Sequence, residues 1–513
     1  MQSADARRRP ADGPVRVRLC TLLLLIGMGL MIPCYLFTVG NVCLSPWPLY
    51  ERNRVALVLL TAGWLGGLVL MARALGRTAV ASERAVRWVR CAAVLGVALI
   101  QFGFGQFLRV TPSTDFDVCY YGALDYVHSG MIPQNALILM CVTPNNFALF
   151  ELLVGAVRCV EGLGLPVDTY HLLINLNILL FAAGLYALLC TAQLLGGSKA
   201  QLYTALLMVL CAPMLYCTSE LYTDSFCMPF LMMGFYALVR MLRADGLRGL
   251  GWGLASGTAL IIGIMIRATL VVPVIAAVIV VLLARRPRQW ICLVSLLCAL
   301  SLGWMGYNHA RNAEYGRENL ERYSMPATHW MVMGTPDEYG YFYGEFSGDD
   351  YAYAYSFEDP QERSAALLQR LRDKLYRLRM PDRALSAVSR KNLSIFGTGT
   401  YRLDRFTAFD PADQEMVDAL PISKSGAGYL AYRHAMTALM MADMLLACLG
   451  CLRSLRERRA MPGDALVNIS LLGIFLLLMI WEAGGRYFFH FMPVLILAAA
   501  LSLGRIAEGE RVR

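Results

Sequence analysis

Residues 19–37 read LCTLLLLIGMGLMIPCYLF, an apolar run that contains no charged side chain. A helical run of this length matches the thickness of the hydrocarbon layer of a bilayer. A segment that crosses the bilayer must satisfy its own backbone hydrogen bonds, which a helix does internally. Similar blocks recur along most of the 513 residues. The sequence therefore predicts an all-α polytopic membrane protein.

About 12 spans are predicted, and the overall composition agrees with them. Of all residues, 57% are hydrophobic and 16% are charged, which is less charge than a soluble chain of this length carries on its surface. The predicted spans are 19–37, 55–72, 91–108, 169–195, 200–217, 225–241, 250–266, 269–284, 290–309, 435–452, 465–481 and 487–504.

The net charge of +9 is distributed as in a membrane protein and does not indicate nucleic-acid binding. Residues 310–434 hold 16 Lys and Arg against 18 Asp and Glu, a balance of −2, so the other residues contribute +11. Those basic residues gather in short loops between alternate spans. The positive-inside rule then predicts a multi-pass protein of the cell membrane with cytoplasmic N- and C-termini. The Arg-rich N-terminus lacks a convincing cleavage site, so we expect the first helix to be retained.

The predicted organisation has three parts. Residues 1–309 form a transmembrane bundle with a large outer loop at 109–168. Residues 310–434 form an extracytoplasmic domain of α or α/β type, and residues 435–513 supply the C-terminal transmembrane helices.

One apolar block, residues 146–161, is ambiguous because it contains Glu151 and Arg158 and is short for a span. Counting it as a span would invert every later loop and place the Arg clusters outside. We therefore predict that residues 123–161 form amphipathic helices along the outer membrane surface.

Three acidic residues lie at the predicted outer side. Asp115 and Asp117 are two positions apart in the first large loop, and Asp224 opens the sixth span. Carboxylates in such a position can take a proton or bind a cation. An ordinary solvated loop would also explain the first pair, and Asp224 is equally suited to cap its helix.

Other polar residues lie on the same side. Arg267 stands alone between two spans, where it could reach lipid phosphates or hold a specific phosphate group. Glu482 and Arg486 share an outer turn, and a local ion pair would be sufficient to explain them. Trp330 could stack on a sugar or pack against lipid headgroups.

In their order along the chain, these motifs resemble the GT-C superfamily of membrane glycosyltransferases, closest to the bacterial branch described as family-39-like or RgtA/B/C/D-like. The resemblance extends from about residue 91 onward, whereas the first two spans look like an addition. The matching residues are Asp115-Phe116-Asp117, Tyr120, Tyr121, Pro144-Asn145-Asn146, Tyr222-Thr223-Asp224, Arg267, Pro326 to Trp330, Met333-Gly334, and Glu482 to Tyr487 leading into Pro493.

The resemblance implies a GT-C-like helical bundle that takes a sugar from a polyprenyl-phosphate donor in the membrane lipid. The acceptor would be an extracytoplasmic cell-envelope glycan, lipid or protein, and the sugar a hexose or a pentose. Asp115 or Asp117 would be the catalytic base or a metal ligand, and Asp224 the second acidic group.

Further roles follow from the same resemblance. Arg267, with Arg486 second, would bind the donor phosphate. A divalent cation, Mg²⁺ or Mn²⁺, held by the three carboxylates is an open alternative. The candidate substrate-binding residues are Tyr120, Tyr121, Asn145, Asn146, Tyr222, His329, Trp330 and Glu482.

The competing interpretation is a multi-pass transporter or a flippase for lipid-linked glycans. Transporters place ionisable residues near the bilayer midplane in broken helices. Here most predicted spans contain no charge, and the polar motifs gather at one interface, which favours the enzyme.

Overall fold

The computed structural model describes residues 14–47, 52–76, 82–108, 110–244, 246–284, 287–337, 339–403, 408–409, 414–424, 426 and 428–509. Within these ranges the chain is helical apart from connecting loops and two short strands. The first twelve helices are Pro14–Leu44 (α1), Arg54–Gly76 (α2), Glu83–Phe107 (α3), Thr114–Ser129 (α4), Gln134–Val142 (α5), Asn146–Gly162 (α6), Thr169–Leu210 (α7), Pro213–Tyr216 (α8), Thr223–Arg243 (α9), Leu247–Ile266 (α10), Val271–Ala284 (α11) and Pro287–Tyr315 (α12).

The remaining helices and the second strand belong to the outer domain and the C-terminal part, whereas the first strand lies at the start of the first outer loop. These helices are Arg317–Tyr323 (α13), Ala327–Gly334 (α14), Gly348–Tyr355 (α15), Pro360–Arg377 (α16), Pro381–Phe396 (α17), Gln414–Ala419 (α18), Tyr429–Arg456 (α19), Pro462–Ile480 (α20), Arg486–Phe489 (α21) and Met492–Gly509 (α22). Strand β1 (Val110–Thr111) pairs antiparallel with β2 (Ala408–Phe409).

Helix α7 contains two of the predicted spans, joined at a glycine turn. Gly196 and Gly197 depart from helical geometry, and Gly197 has a φ of +73°, which glycine adopts without a steric penalty. The chain reverses here, because the Arg90 guanidinium donates both to Gln193 before the turn and to Gln201 after it. The prediction of separate spans at 169–195 and 200–217 therefore agrees with the structure.

The described helices account for the expected number of crossings. Nine of them are long and apolar enough to span a membrane, and α7 is one of the nine. Its second half adds one crossing, and the shorter α11 and the C-terminal α22 add two more, which gives twelve. The prediction of an all-α polytopic membrane protein is confirmed.

The polar loops meet at one end of the bundle, which we call the site end. There Arg267, which directly follows α10, lies 3.1 Å from Asp224 in the first turn of α9. The opposite, distal end has its own contacts, such as the Lys199 ammonium that donates to Gly76 O at 3.0 Å. Arg90 lies at the same end, because its guanidinium donates to Gln193 and Gln201 on either side of the glycine turn in α7.

Helices α4, α5 and α6 do not cross the bundle. Helix α3 ends beside the start of α7, since Gln106 Nε2 donates to Asn175 Oδ1 at 3.3 Å. A Cβ atom at Gly105 would lie only 2.8 Å from Ile174. The connection between α3 and α7 therefore begins and ends at the site end. The prediction that residues 146–161 do not form a membrane span requires this arrangement.

The described part of the outer domain is helical apart from its loops and strand β2. Helix α12 continues to Tyr315 and α19 already begins at Tyr429, so both helices extend beyond the predicted ends of their spans. The pairing of Val110 with Phe409 and of Thr111 with Ala408 attaches the start of the outer loop to this domain.

Helix α1, the first of the two helices that precede the motif-bearing part of the chain, contacts the outer domain directly. On α1, Asn41 Nδ2 donates to Ser389 O at 2.7 Å and to Asn392 Oδ1 at 3.0 Å. Asn392 Nδ2 in turn donates to Thr38 Oγ1 at 2.8 Å. Both Asn392 and Thr38 are fully buried. Helix α1 therefore fixes α17 of the outer domain, and α17 borders the candidate site.

Candidate active site

A cleft of about 440 Å³ opens at the site end, between the bundle and the outer domain. Helices α4 and α5 form one wall, the outer domain forms the opposite wall, and the loop between α20 and α22 forms the floor. The lining residues are Thr114, Asp115, Leu139, Val142, Thr143, Trp330, Glu345, Phe346, Tyr351, Arg402, Glu482, Gly484, Gly485, Arg486 and Tyr487.

Asp115 lies in the first turn of α4 and lines the cleft. Tyr222 Oη donates a hydrogen bond of 2.8 Å to Asp115 Oδ2, which fixes the orientation of the carboxylate. The preceding Thr114 has a φ of +55°, a strained conformation for a β-branched residue that is found mostly at functional sites. Among the residues that the structure describes, Asp115 lines the cleft and Asp117 does not.

A buried cluster of charges lies directly below the cleft floor. Asp224 Oδ1 is 3.1 Å from Arg267 and 3.6 Å from His490 Nδ1, and Asp224 Oδ2 is 3.8 Å from Arg486 Nε. We call Asp224, Arg267 and Arg486 the charge cluster. Each of its three side chains is at most 13% exposed. Asp224 therefore neutralises one of the two guanidinium groups, in an environment where an unpaired charge would be costly, and the charge cluster keeps a net charge of +1.

The two arginines of the charge cluster differ in their access to the cleft. Arg486 lines the cleft and lies over the Tyr222 ring at 4.6 Å. Arg267 lies behind Tyr487, 4.6 Å from the centre of that ring, and is not among the described lining residues. The sequence ranked Arg267 before Arg486 as a phosphate ligand, whereas the geometry gives Arg486 the direct access.

Glu482 is a second carboxylate in the cleft, and it is 4% exposed. Tyr487 Oη donates to Glu482 Oε2 at 2.5 Å. Burial raises the pKa of Glu482 despite this bond and the nearby Lys391. Burial also lowers the pKa of Lys391 to about 7, against the opposing effect of Glu482 and Glu345. The floor therefore holds a carboxyl and an amine that both exchange protons more readily near neutral pH than ordinary side chains do.

Backbone contacts fix the floor against the outer domain. Lys391 Nζ donates to Gly344 O at 2.5 Å and to Trp481 O at 2.6 Å. Glu482 N donates to Trp330 O at 2.9 Å. The close approach of these two backbone segments requires a glycine at position 334, because a Cβ atom on Gly334 would lie 2.4 Å from the Trp481 backbone.

The outer wall combines aromatic rings with one ion pair. Trp330, Phe346 and Tyr351 expose ring surface to the cleft. Beside them, the Arg402 guanidinium donates twice to Glu345, at 2.5 Å and 2.7 Å. A bidentate pair of this kind offers both donors and acceptors to a polar ligand.

Several residues suggested by the sequence support the cleft from behind. Asn146 is fully buried, and its Nδ2 donates to Thr143 Oγ1 at 2.8 Å, which holds a lining residue. Asn145 occupies the position before α6. His329 is also fully buried, and its ring lies 5.0 Å from that of Trp330.

The tyrosine pair after Asp117 has a packing role. Tyr120 is 7% exposed, and its ring contacts those of Phe116, Tyr121 and Tyr170. Tyr121 is 53% exposed. Neither tyrosine is among the described residues that line the cleft. Tyr120 and Tyr121 are therefore close to Asp115 in sequence without lining the same cleft.

The three acidic residues do not form one metal-binding group. Among the described residues, no set of three or more His, Cys, Asp and Glu side chains is arranged to hold a metal ion. Asp224 faces two arginines and a histidine, whereas Asp115 faces Tyr222. A cation shared by Asp115, Asp117 and Asp224, the alternative left open by the sequence, has no such group of ligands here.

Of the outer-domain residues at the cleft, the sequence indicated Trp330 but not the others. Glu345, Phe346, Tyr351, Lys391 and Arg402 fall outside the short motifs. The only available signal was composition, because residues 339–355 contain eight aromatic residues among 17.

Comparison with known proteins gives a weak structural likeness. No protein-family model matches the chain, and no curated protein matches it. The chain is similar to ArnT from Cupriavidus metallidurans bound to undecaprenyl phosphate, with 18% identity, a TM-score of 0.33, and coverage of 83% of this chain and 80% of that chain. The apo structure of ArnT gives 15% identity, a TM-score of 0.33, and coverage of 82% and 78%. At such a TM-score the function has to be inferred from the residues of this chain.

Proposed function

We propose that this protein is a membrane glycosyltransferase that moves a sugar from a polyprenyl-phosphate donor to an extracytoplasmic acceptor. One observation carries the proposal: one cleft at the end of a transmembrane bundle is lined by both a carboxylate, Asp115, and a guanidinium, Arg486. A group-transfer reaction with a phosphate leaving group needs a base and a cation at such positions.

The proposed reaction is a displacement at the anomeric carbon. The donor tail lies in the bilayer, and its phosphate contacts Arg486 at the cleft floor. The acceptor hydroxyl attacks the anomeric carbon while Asp115 takes its proton, so that a new carbon–oxygen bond forms and the bond to the phosphate oxygen breaks. Polyprenyl phosphate leaves with the electron pair, and its added negative charge is stabilised by Arg486.

The two other members of the charge cluster have a positioning role in this scheme. Arg267 donates to Thr223 Oγ1 at 3.1 Å and pairs with Asp224. Asp224 in turn lies 3.8 Å from Arg486 Nε. We infer that Arg267 neutralises the buried Asp224, that Asp224 orients Arg486 toward the cleft, and that the net positive charge of the cluster is available to the donor phosphate. Asp115 is then the base, in preference to Asp117.

The proposal also assigns each part of the chain a side of the membrane. The bundle 1–309 and the C-terminal helices 435–513 hold the donor, and the domain 310–434 receives the acceptor from the extracytoplasmic side. The N- and C-termini are then cytoplasmic.

Cysteine labelling in intact cells tests this topology. Single cysteines introduced at Tyr341 and Tyr376, which are 88% and 64% exposed, should react with an impermeant maleimide without lysis. Cysteines at Arg456 and Arg459, in the distal loop, should react only after lysis. The native cysteines are replaced first, and labelling of both pairs from the same side would overturn the assignment.

The function itself is tested in a deletion strain by lipidomics and envelope glycan analysis. Loss of the protein should leave a polyprenyl-phosphate sugar unconsumed and remove one sugar from an envelope component. Wild-type protein should restore both, because transfer consumes the donor and produces the glycan in one step. An unchanged donor pool together with an unchanged envelope glycan would reject the proposal.

A leaflet-resolved measurement of the accumulated donor in the same deletion strain separates the enzyme from the alternative of a transporter or flippase. Asp443 is the observation that favours the alternative, because it lies in the middle of α19, is 1% exposed, and has no hydrogen-bond partner among the described residues. Buried acids of this kind often mark ion pathways. A flippase mutant would trap the donor in the inner leaflet, whereas a transferase mutant accumulates it in the outer leaflet.

A further inference from the structure

The outer wall of the cleft belongs to an unusually aromatic segment. Residues 339–355 hold eight aromatic side chains among 17 residues. Phe346 and Tyr351 line the cleft, and Phe346 is 62% exposed although it is fully apolar. An exposed aromatic surface next to a cleft is typical of a binding site.

Three of these rings form a continuous row. The ring centres of Phe346 and Tyr351 are 5.9 Å apart, and those of Tyr351 and Tyr355 are 6.0 Å apart with only 11° between their planes. Tyr355 is 41% exposed. We call Phe346, Tyr351 and Tyr355 the aromatic ladder. It leads from the cleft along α15 toward the surface of the outer domain.

The inner end of the ladder lies in the same cleft as the proposed base, because Phe346, Tyr351 and Asp115 all line it. Burial, the Tyr355 hydroxyl and the Asp115 carboxylate raise the pKa of Tyr351, so its hydroxyl remains protonated and available as a donor. A ligand that stacks on the ladder would therefore present its end to Asp115.

The ladder is bordered by charges that are already paired. Glu345 pairs with Arg402 at 2.5 Å, and Asp350 pairs with Arg370 at 2.7 Å and with Lys374 at 2.6 Å. Paired groups still offer hydrogen-bond donors and acceptors. They do not provide the unpaired basic cluster that binds an anionic membrane surface or a phosphorylated ligand.

We propose that the aromatic ladder binds the acceptor as an extended, neutral oligosaccharide whose terminal hydroxyl reaches Asp115. This inference rests on the proposed function, because it names the acceptor class for the same cleft. Sugar rings have apolar C–H faces that stack on flat aromatic rings, and their hydroxyl groups match the ion pairs beside the ladder. A row of three rings suits several sugar units better than one.

Binding of the full-length protein in nanodiscs to an array of neutral, linear α- and β-linked oligosaccharides of increasing length tests this proposal. At least one series should bind saturably, with affinity that increases with length. Phe346→Ala should weaken binding at every length by roughly tenfold, which corresponds to about 1.4 kcal/mol. Tyr355→Ala should weaken only the longer members, because its ring is the outermost.

Two variants serve as controls. Phe346→Trp keeps a flat ring and should retain binding. Tyr376→Ala removes a 64% exposed tyrosine from α16, away from the ladder, and should bind like wild type. Phospholipid vesicles of phosphatidylcholine with phosphatidylglycerol, offered to the detergent-solubilised protein, probe a membrane-contact role for the same rings.

Three results would overturn the inference: no saturable binding to any oligosaccharide, equal binding by wild type and both alanine variants, or loss of vesicle binding instead of glycan binding in those variants. The outcome is separable from that of the proposed function. If donor consumption depends on Asp115 but no glycan binds, only the proposal that the aromatic ladder binds the acceptor is rejected. If glycan binds but no transfer depends on Asp115, only the proposed glycosyltransferase function is rejected.

Discussion

Replacing Asp115 with Asn should abolish sugar transfer while leaving the protein folded and inserted. Asn keeps the size of the side chain and an oxygen that can accept the 2.8 Å hydrogen bond from Tyr222 Oη. It cannot take a proton from the acceptor hydroxyl. Removing a general base of this kind costs about 100-fold to 10,000-fold in rate. The measurement is the rate of donor consumption and product formation by purified protein, at matched amounts of wild type and variant.

Asp117→Asn provides the matched control, because it makes the same chemical change two residues further along the same helix. It should retain most of the wild-type rate, since the described lining of the cleft includes Asp115 but not Asp117. An inactive Asp117→Asn beside an active Asp115→Asn would move the base to Asp117. Normal rates for both variants would remove the outer-loop acids from the mechanism altogether.

The crossing helices could be predicted from the sequence because their signal is local. Each span is a continuous apolar block, and the alternation of basic loops indicates which apolar blocks cross the membrane. Even the turn at Gly196 and Gly197 falls between the two predicted spans of α7. The ends of the helices were less predictable, because α12 and α19 extend into the outer domain, where hydrophobicity no longer marks their limits.

The candidate site was predictable only in part. The order of the motifs indicated that Asp115, Asp224, Arg267 and Glu482 lie at one end of the bundle. Which of these residues line the cleft and which lie behind it depends on tertiary packing. Asp224 faces inward to its arginines, and the Tyr487 ring separates Arg267 from the cleft. No local pattern distinguishes a residue that lines a cleft from one that lies a single ring behind it.

Apart from Trp330, the outer-domain residues at the cleft belong to no motif. Lys391 and Glu345 approach Glu482 only because α17 packs between α1 and the loop after α20, a contact across more than 300 positions between Asn41 and Asn392. The sequence shows that Asn41 and Asn392 are present but does not show that they are close in space. Sequence reasoning therefore identified the chemistry at the floor of the cleft and missed the wall opposite the proposed base.

Arg486→Met should produce the second large loss, because it removes the only arginine of the charge cluster that lines the cleft in the described structure. Loss of one donor that stabilises developing negative charge costs about 100-fold to 1,000-fold in rate. Arg486→Lys restores the charge but not the planar fork, so its activity should lie between Met and wild type. The measurement is kcat together with donor affinity for both variants.

Arg267 provides the comparison that separates phosphate binding from charge balance. Arg267→Met leaves the buried Asp224 without its 3.1 Å partner, and breaking a buried pair of this kind destabilises a protein by about 3–5 kcal/mol. Its main effect should therefore be a lower unfolding temperature, which Asp224→Asn in the same chain should partly restore. Arg486→Met should instead weaken donor binding at nearly unchanged stability, since Asp224 keeps Arg267. If Arg486→Met binds and turns over the donor normally while Arg267→Met loses donor affinity without losing stability, the two roles are the reverse of those proposed.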